Sequence, residues 1–347
     1  MNELQSSGGV SAGNRDASAE NGAAGFVSGG NPSDPVAPVS SVPPIPLEDG
    51  FSDILSKAMR GLRLGDDAVA ERTGIAALEV RRLREGQFNE VAVRKIASVL
   101  GLGVEALVRA ARRQYFPAPV RVQGLAQFNT PFEDMTVNSY VVWDPVSREA
   151  AVFDTGSDCA PALEFVRRAG LRVTAIALTH AHGDHIFDLD RLWEKTGVPA
   201  YASALEPVEG AQLLRDGAVF QIGRLSVEAR LTTGHSVGGL TYVVSGLEVP
   251  VAVVGDSLFA GSMGGGGVSY PDALRNNREK VLTLPAETVI CPGHGPMTTV
   301  GEELEANPFF AKYAAGEFGE GAWGGLWVQP VREPPRGDPR AAGGRGQ

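Results

Sequence analysis

Five histidines occur in the 347 residues, and each stands where a metal ligand could. Three fall in Thr179-His180-Ala181-His182-Gly183-Asp184-His185, and two sit in Thr233-Gly234-His235-Ser236 and Pro292-Gly293-His294-Gly295. Imidazole is the commonest metal-binding side chain, and Asp184 and Asp256 add hard oxygen donors of the kind a hydrolytic Zn²⁺, Fe²⁺ or Mn²⁺ pair needs. His180 and His182, two apart on an extended turn, face the same way and can place two nitrogens on one ion. Asp184 and His185 can turn toward a second ion as a helix begins. A single ion bound by two histidines would leave His235, Asp256 and His294 unexplained. The glycines beside these residues suit tight ligand loops.

Other motifs carry less chemistry. Asp154-Thr155-Gly156 imitates an aspartic-protease signature, but no second copy exists to share a proton. Asp154 is better read as a hydrogen-bond acceptor behind the metal ligands. Gly264 to Gly267 lacks the Gly-Lys-Ser/Thr ending of a phosphate loop and reads as a flexible loop beside the site. Cys159 and Cys291, the only cysteines, have neither the number nor the spacing of a disulfide framework or thiolate zinc site. Cys291 reads as a small buried hydrophobe rather than a reactive thiol.

The elements that must position the ligands follow from periodicity. Strands are expected at Val120–Leu125, Asn138–Trp143, Ala150–Asp154 and Val173–Thr179, the last running into the histidine cluster. A helix is expected over Ala160–Ala169 and another over Ile186–Lys195. Further strands are expected at Ala218–Ile222, Leu225–Thr232, Leu240–Val244, Val251–Val254 and Thr288–Ile290, with a helix over Ala273–Leu282. Each histidine or aspartate of interest then lies just past a strand end, in layered α/β packing with function on its loops.

Charge divides the chain. The net charge is −10, yet residues 51–115 hold twelve Lys/Arg against eight Asp/Glu, a local +4. That segment is patterned as five short helices, Phe51–Leu62, Asp66–Thr73, Ala77–Arg84, Glu90–Leu100 and Val104–Arg113. Residues 1–48, rich in Gly, Ser, Ala, Asn and Pro, are expected to be a disordered tail, as is the Gly/Pro/Arg-rich stretch 316–347, where Trp323 and Trp327 would serve as anchors. The division is therefore 1–48, 49–115, 118–313 and 316–347. No apolar run is long enough for a membrane span and no export signal is evident, so a cytoplasmic location without membrane partners is the expectation.

The run Asp66-Asp67-Ala68-Val69-Ala70-Glu71-Arg72-Thr73-Gly74-Ile75-Ala76, followed by Leu78–Gly86 and Val91–Leu100, resembles the Cro/repressor-type helix-turn-helix family. The resemblance implies that Ala77–Arg84 is a recognition helix offering Arg81, Arg82 and Arg84 to DNA, with a homodimer to match. It departs at Asp66, where a polar contact residue is common, and at Ala76, where Ser or Thr is. A docking or dimerisation bundle is the competing reading.

Residues 118–310 resemble the metallo-β-lactamase-fold hydrolases, through His-x-His-x-Asp-His followed by separate His, Asp and His residues. The resemblance implies an α/β fold, a four-layer αββα sandwich, preceded here by the helical segment. It assigns His180, His182 and His235 to a first metal, Asp184, His185 and His294 to a second, and Asp256 to both, with Asp184 also catalytic. Two divalent ions are implied, zinc first, with iron or manganese as alternatives. Asn138-Ser139-Tyr140, Gly255-Asp256-Ser257-Leu258-Phe259, Gly261-Ser262 and Cys291–Thr299, with Glu302-Glu303 and Asn307-Pro308-Phe309, resemble the glyoxalase II-like (hydroxyacylglutathione hydrolase-like) branch. The implied reaction is thioester hydrolysis. Relatives often carry arginine where this chain has Gly265, which leaves the thioester or ester substrate open. The alternatives are a lactonase, a mononuclear-iron persulfide dioxygenase using His180, His235 and Asp256, and a DNA-binding regulator with a metabolite-sensing hydrolase domain.

Overall fold

The computed structural model describes residues 44–311. The expectations for residues 1–43 and 316–347, including Trp323 and Trp327, lie outside the described residues. Two six-stranded sheets form the centre. The first runs β1 (Leu125–Phe132), β2 (Met135–Trp143), β3 (Glu149–Phe153), β4 (Arg172–Ala177), β5 (Ala200–Ser203) and β6 (Gln212–Leu214), in that order across the sheet. The second contains β7 (Ala218–Ile222), β8 (Leu225–Leu231), β9 (Leu240–Ser245), β10 (Val251–Gly255), β11 (Val289–Pro292) and β12 (Thr298–Thr299), again in sequence order.

Period-two alternation makes each strand serve two layers. Tyr140 and Val142 on β2 face the second sheet with Phe153, Tyr242, Val251 and Val253, whereas Val141 faces outward. Outside the first sheet, Val141, Val152 and Ile176 pack on α6 (Ala160–Arg168) and α8 (Leu189–Thr196). Outside the second sheet, Ala252, Val254 and Ile290 pack on α1 (Phe51–Gly61), α2 (Asp66–Thr73), α3 (Ala77–Arg84), α4 (Glu90–Leu100) and α5 (Val104–Ala111), together with α9 (Tyr270–Asn276) and α10 (Val300–Ala306). The helical segment therefore shares one hydrophobic cluster with the second sheet. Ile54, Leu55, Val80, Leu83, Ile96 and Leu107 are buried in it, each stabilising the fold by roughly 1.5–3 kcal/mol.

Local signals explain the helix ends. Asp53 accepts a hydrogen bond from the Gly50 N–H at the start of α1, Asn89 caps α4, and Thr299 with Glu302 forms a capping box on α10. Gly74 and Gly101 close α2 and α4 in the left-handed conformation.

Four of the sequence expectations change, and β5, β6, β12 and α10 had no counterpart among them. Val120–Leu125 is not a strand; β1 starts at Leu125 and continues through Asn129, Thr130 and Pro131. Pro131 is tolerated because β1 is the sheet edge. The helix expected over Ile186–Lys195 is two helices, α7 (Gly183–Ile186) and α8, parted where the Asp188 carboxylate accepts from Cys159 N. The helix expected to Leu282 changes at Asn277 into a π-helical turn, Asn277–Val281. Finally, Pro44–Glu48, assigned by sequence to the tail, forms an extended strap beside Gly295.

Candidate metal centre

Five strand ends converge. Asp154 follows β3, His180 to His185 follow β4, His235 follows β8, Asp256 follows β10 and His294 follows β11. The two sheets are tied there by Asn138 N–H to Gly293 O at 2.7 Å, Leu240 N–H to Thr179 O at 2.8 Å and Tyr242 O–H to Leu178 O at 2.8 Å. Asn138 also donates from Nδ2 to Pro292 O and Gly295 O, and Tyr140 O–H donates to Pro292 O at 2.7 Å. Asn138 and Tyr140 thus hold the loop that carries His294. On the other side Asn276 donates to Thr233 O, and Asn277 of the π-turn donates to Ser257 O. The irregular turn aims two consecutive amides at the His235 and Asp256 loops.

All seven residues picked from the sequence as ligands come together. His180, His182, His235 and Asp256 form one group and Asp184, His185 and His294 another, the ligand atoms of each group lying within 4.8 Å of one another. His182 Nδ1 is 3.0 Å from both His180 Nε2 and His235 Nε2. Two ligands on one tetrahedral ion, with bonds near 2.0–2.1 Å, sit roughly 3.4 Å apart, so three imidazole nitrogens this close suit a cation between them. Asp256 lies between the groups. Its Oδ2 is 3.3 Å from His235 Nε2 and 3.4 Å from His294 Nε2, while Oδ1 is 3.3 Å from His185 Nε2. Asp184 Oδ2 is 3.3 Å from His294 Nε2 and 3.4 Å from His185 Nε2.

The donor set fits two divalent ions. His185 Nε2 and Asp256 Oδ1 are buried and have no hydrogen-bond partner among the described residues, which is costly unless something binds both. The far nitrogens of four rings are held by oxygens: His180 Nδ1 by Thr179 Oγ1, His185 Nδ1 by Asp154 Oδ2, His235 Nδ1 by Gly265 O and His294 Nδ1 by Thr136 O. A donated Nδ1–H leaves the Nε2 lone pair for the ion. Asp154 also accepts from Thr179 N–H and Oγ1–H, both at 2.7 Å, and holds a left-handed φ of 54°. Such strain at a non-glycine residue is typical of functional sites.

Electrostatics point the same way. Burial opposes charging His185, yet Asp256 and Asp154 lift its pKa to about 10. Burial likewise opposes charging His294, but Asp256 and Asp184 lift it to about 11. His180 and His235, desolvated and facing other histidines, titrate below the ordinary imidazole value. Against burial, His185 and His294 hold the Asp256 carboxyl well below its usual range. The cluster of carboxylates calls for positive charge at its centre, and bound cations supply it without protons.

Several contributors had no sequence signature. Glu206 accepts from Ala181 N–H at 3.1 Å and Gly238 N–H at 2.9 Å, clamping the His180–His182 and His235 loops together. Thr136 and Gly265 act through backbone carbonyls, which any residue offers. At Gly293 an added Cβ would run into Asp256 and His185, so glycine was a legible signal there. Cys291 is buried, and burial pushes its thiol above the range of a reactive nucleophile.

A cavity of about 390 Å³ lies beside Thr136, whose carbonyl holds His294. Its walls are Pro46, Leu47 and Glu48 of the strap and Glu133, Asp134, Met135 and Thr136 of the β1–β2 hairpin. Burial raises the Glu48 carboxyl above its usual pKa, His294 draws it down, and Asp49 adds to the rise.

Comparison with known proteins identifies the family. The Metallo-beta-lactamase superfamily pattern matches residues 133–294. The probable metallo-hydrolase YqgX of Bacillus subtilis (strain 168) is 33% identical over 186 residues, covering 46% of this chain and 87% of that protein. The chain belongs to the metallo-beta-lactamase superfamily. Members are metal-dependent enzymes, generally hydrolases. Another superfamily relative, the human mitochondrial persulfide dioxygenase ETHE1, is 30% identical over 223 residues, 59% of this chain and 83% of that protein. The crystal structure of BLEG-1 B3 metallo-beta-lactamase aligns at 30% identity with a TM-score of 0.47, over 53% of this chain and 98% of that one.

The superfamily match begins at the β1–β2 hairpin and leaves α1 to α5 outside. On α3, Arg81 and Arg84 both pair with Asp66, at 3.6 and 2.8 Å, and Arg82 lies 3.9 Å from Glu79. All three arginines are solvent-exposed but face carboxylates of their own chain. No helix among the described residues is long and apolar enough to cross a membrane.

Proposed function

We propose that this superfamily member is a dinuclear-metal hydrolase acting on thioesters, with hydroxyacyl-glutathione as the first substrate to test. The observation that carries the reading is the Asp256 carboxylate, set between two groups of histidines, with no hydrogen-bond partner at its buried Oδ1 among the described residues. Two divalent cations held there would supply hydroxide near neutral pH and polarise the scissile carbonyl. The protein's own part is orientation. His180, His182 and His235 would hold the first ion and Asp184, His185 and His294 the second, with Asp256 shared. Asp154, Thr136 and Gly265 fix the rings, and the partly exposed Asp184 carboxylate would orient the nucleophile as well as bind metal. His182, the most exposed of the ligands, marks the open side. The thioester class rests on the resemblance to the glyoxalase II-like branch; its signature residues Asn138 and Tyr140 hold the His294 loop. Zinc is the ion to test first, ahead of iron and manganese.

The test is metal analysis with a panel of thioesters and lactones on wild type and Asp256→Ala. Two ions per chain and thioester turnover, both lost in the variant, are expected; full loading with no turnover of any thioester or lactone would refute the reading. A second reading, a persulfide dioxygenase using one iron through His180, His235 and Asp256, is favoured by the identity to human ETHE1. Oxygen consumption with glutathione persulfide would select it. The exposed arginines of α3, after a turn closed by Gly74, keep a DNA-binding dimer as a separate proposal; it requires a salt-sensitive gel shift that is lost when Arg81, Arg82 and Arg84 are changed together.

A further inference from the structure

The strap and α1 lie outside the superfamily match, yet they contact the loops that carry its ligands. The Lys57 ammonium on α1 pairs with Asp49, which joins the strap to α1, and donates to Met263 O at 2.9 Å. It also sits 4.9 Å from the centroid of the Phe259 ring. That ring meets His294 edge-on, with centroids 5.7 Å apart. Asp49 accepts a second hydrogen bond, from Ser262 Oγ at 2.6 Å. The pair is largely removed from water, with the Lys57 and Asp49 side chains 13% and 7% exposed.

Everything held by this pair belongs to the loop Ser257–Gly264, which follows directly from Asp256. At the loop's far end Gly264 packs so tightly on the Asp256 carbonyl and the His235 ring that no Cβ fits. The loop is therefore fixed to two metal-site residues at one end and to the helical layer at Ser262 and Met263. Met263 adjoins Gly264 and its close contact with Asp256 and His235, and Phe259 touches His294.

We propose that Lys57, acting through its pair with Asp49, is a positioning residue for the metal centre: it seats the loop after Asp256 and the Phe259 ring against His294. The proposal rests on the metal-centre reading of the seven ligands, but on no particular substrate. A desolvated ion pair adds little to stability by itself, so its value lies in fixing one arrangement. The helical layer is thereby part of the site's construction.

The experiment compares full-length wild type, Lys57→Met and Lys57→Arg. Each is loaded with cobalt(II), and its visible absorption spectrum, metal affinity by chelator competition, and unfolding midpoint are recorded. In Lys57→Met, changed cobalt bands and a several-fold loss of metal affinity are expected, smaller than the roughly ten- to hundredfold loss when a ligand's own hydrogen-bond partner is removed. On any substrate turned over, kcat falls with KM little changed, and Lys57→Arg recovers part of each loss. A lowered unfolding midpoint with wild-type spectrum and metal affinity would make the pair merely structural and overturn the proposal. If Lys57→Met does not fold, Ser262→Ala, which deletes one hydrogen bond to Asp49, is read by the same criteria. The metal readouts decide this question even if no thioester is hydrolysed, so failure of the proposed activity and failure of the positioning role are separable.

Discussion

Replacing Glu303 with Gln should abolish a pH dependence of stability that the structure builds into the floor of the same loop. Glu303 is fully buried, and burial lifts its pKa to about 7 against hydrogen bonds from Asn307, Tyr115, Thr298 and Gly261. Oε2 accepts from Asn307 Nδ2 at 2.7 Å and Gly261 N–H at 3.0 Å, donors that cannot reverse. Oε1 meets the hydroxyls of Tyr115 and Thr298, both at 2.9 Å, and either hydroxyl can turn to accept a proton held on Oε1. The folded protein thus keeps this proton to about pH 7, whereas the unfolded chain releases it near the ordinary value of 4.5. Between those values the native state binds more protons, so this group's contribution to stability is present at low pH and is lost as pH rises through 7. At 1.36 kcal/mol per unit, the loss between about pH 5.5 and 8.5 is roughly 2 kcal/mol. The assay is denaturant unfolding of wild type and Glu303→Gln at several pH values, taking the difference so that histidine titrations cancel. Wild type should lose about 2 kcal/mol relative to the variant across that range. A pH-independent difference would mean that the hydrogen bonds keep the carboxylate ionised, and the reasoning from burial would fail.

Two further substitutions probe the site. Asp154→Asn removes the carboxylate that fixes the His185 tautomer and should weaken metal binding about ten- to a hundredfold, as read by chelator competition; unchanged affinity would refute its supporting role. Glu48→Lys puts a cation on the cavity wall near His294 and should lower KM for an anionic thioester several-fold at low salt, with the gain fading at high salt. An unchanged KM at both salt concentrations would place Glu48 off the substrate path.

The sequence by itself determined which residue types the centre uses and where the strand ends present them. Metal chemistry restricts ligands to a few side chains, and tight loops restrict their neighbours to glycine, so His180 to His185, His235, Asp256 and His294 stand out without coordinates. Helices α3 and α4 were legible because their apolar faces repeat at helical spacing, and α2 from its acidic first turn and the Gly74 stop. Edge strand β1 was not, because Gln127, Asn129 and Pro131 are ordered by pairing with β2 rather than by local preference. Only the tertiary structure decided which oxygen steadies each histidine, since Thr136 and Gly265 act through main-chain carbonyls that have no signature in sequence. It also decided that the basic helical segment packs on the second sheet and sends Lys57 to the loop after Asp256. That contact joins residues far apart in the chain through burial and charge pairing, and local periodicity carries no record of either.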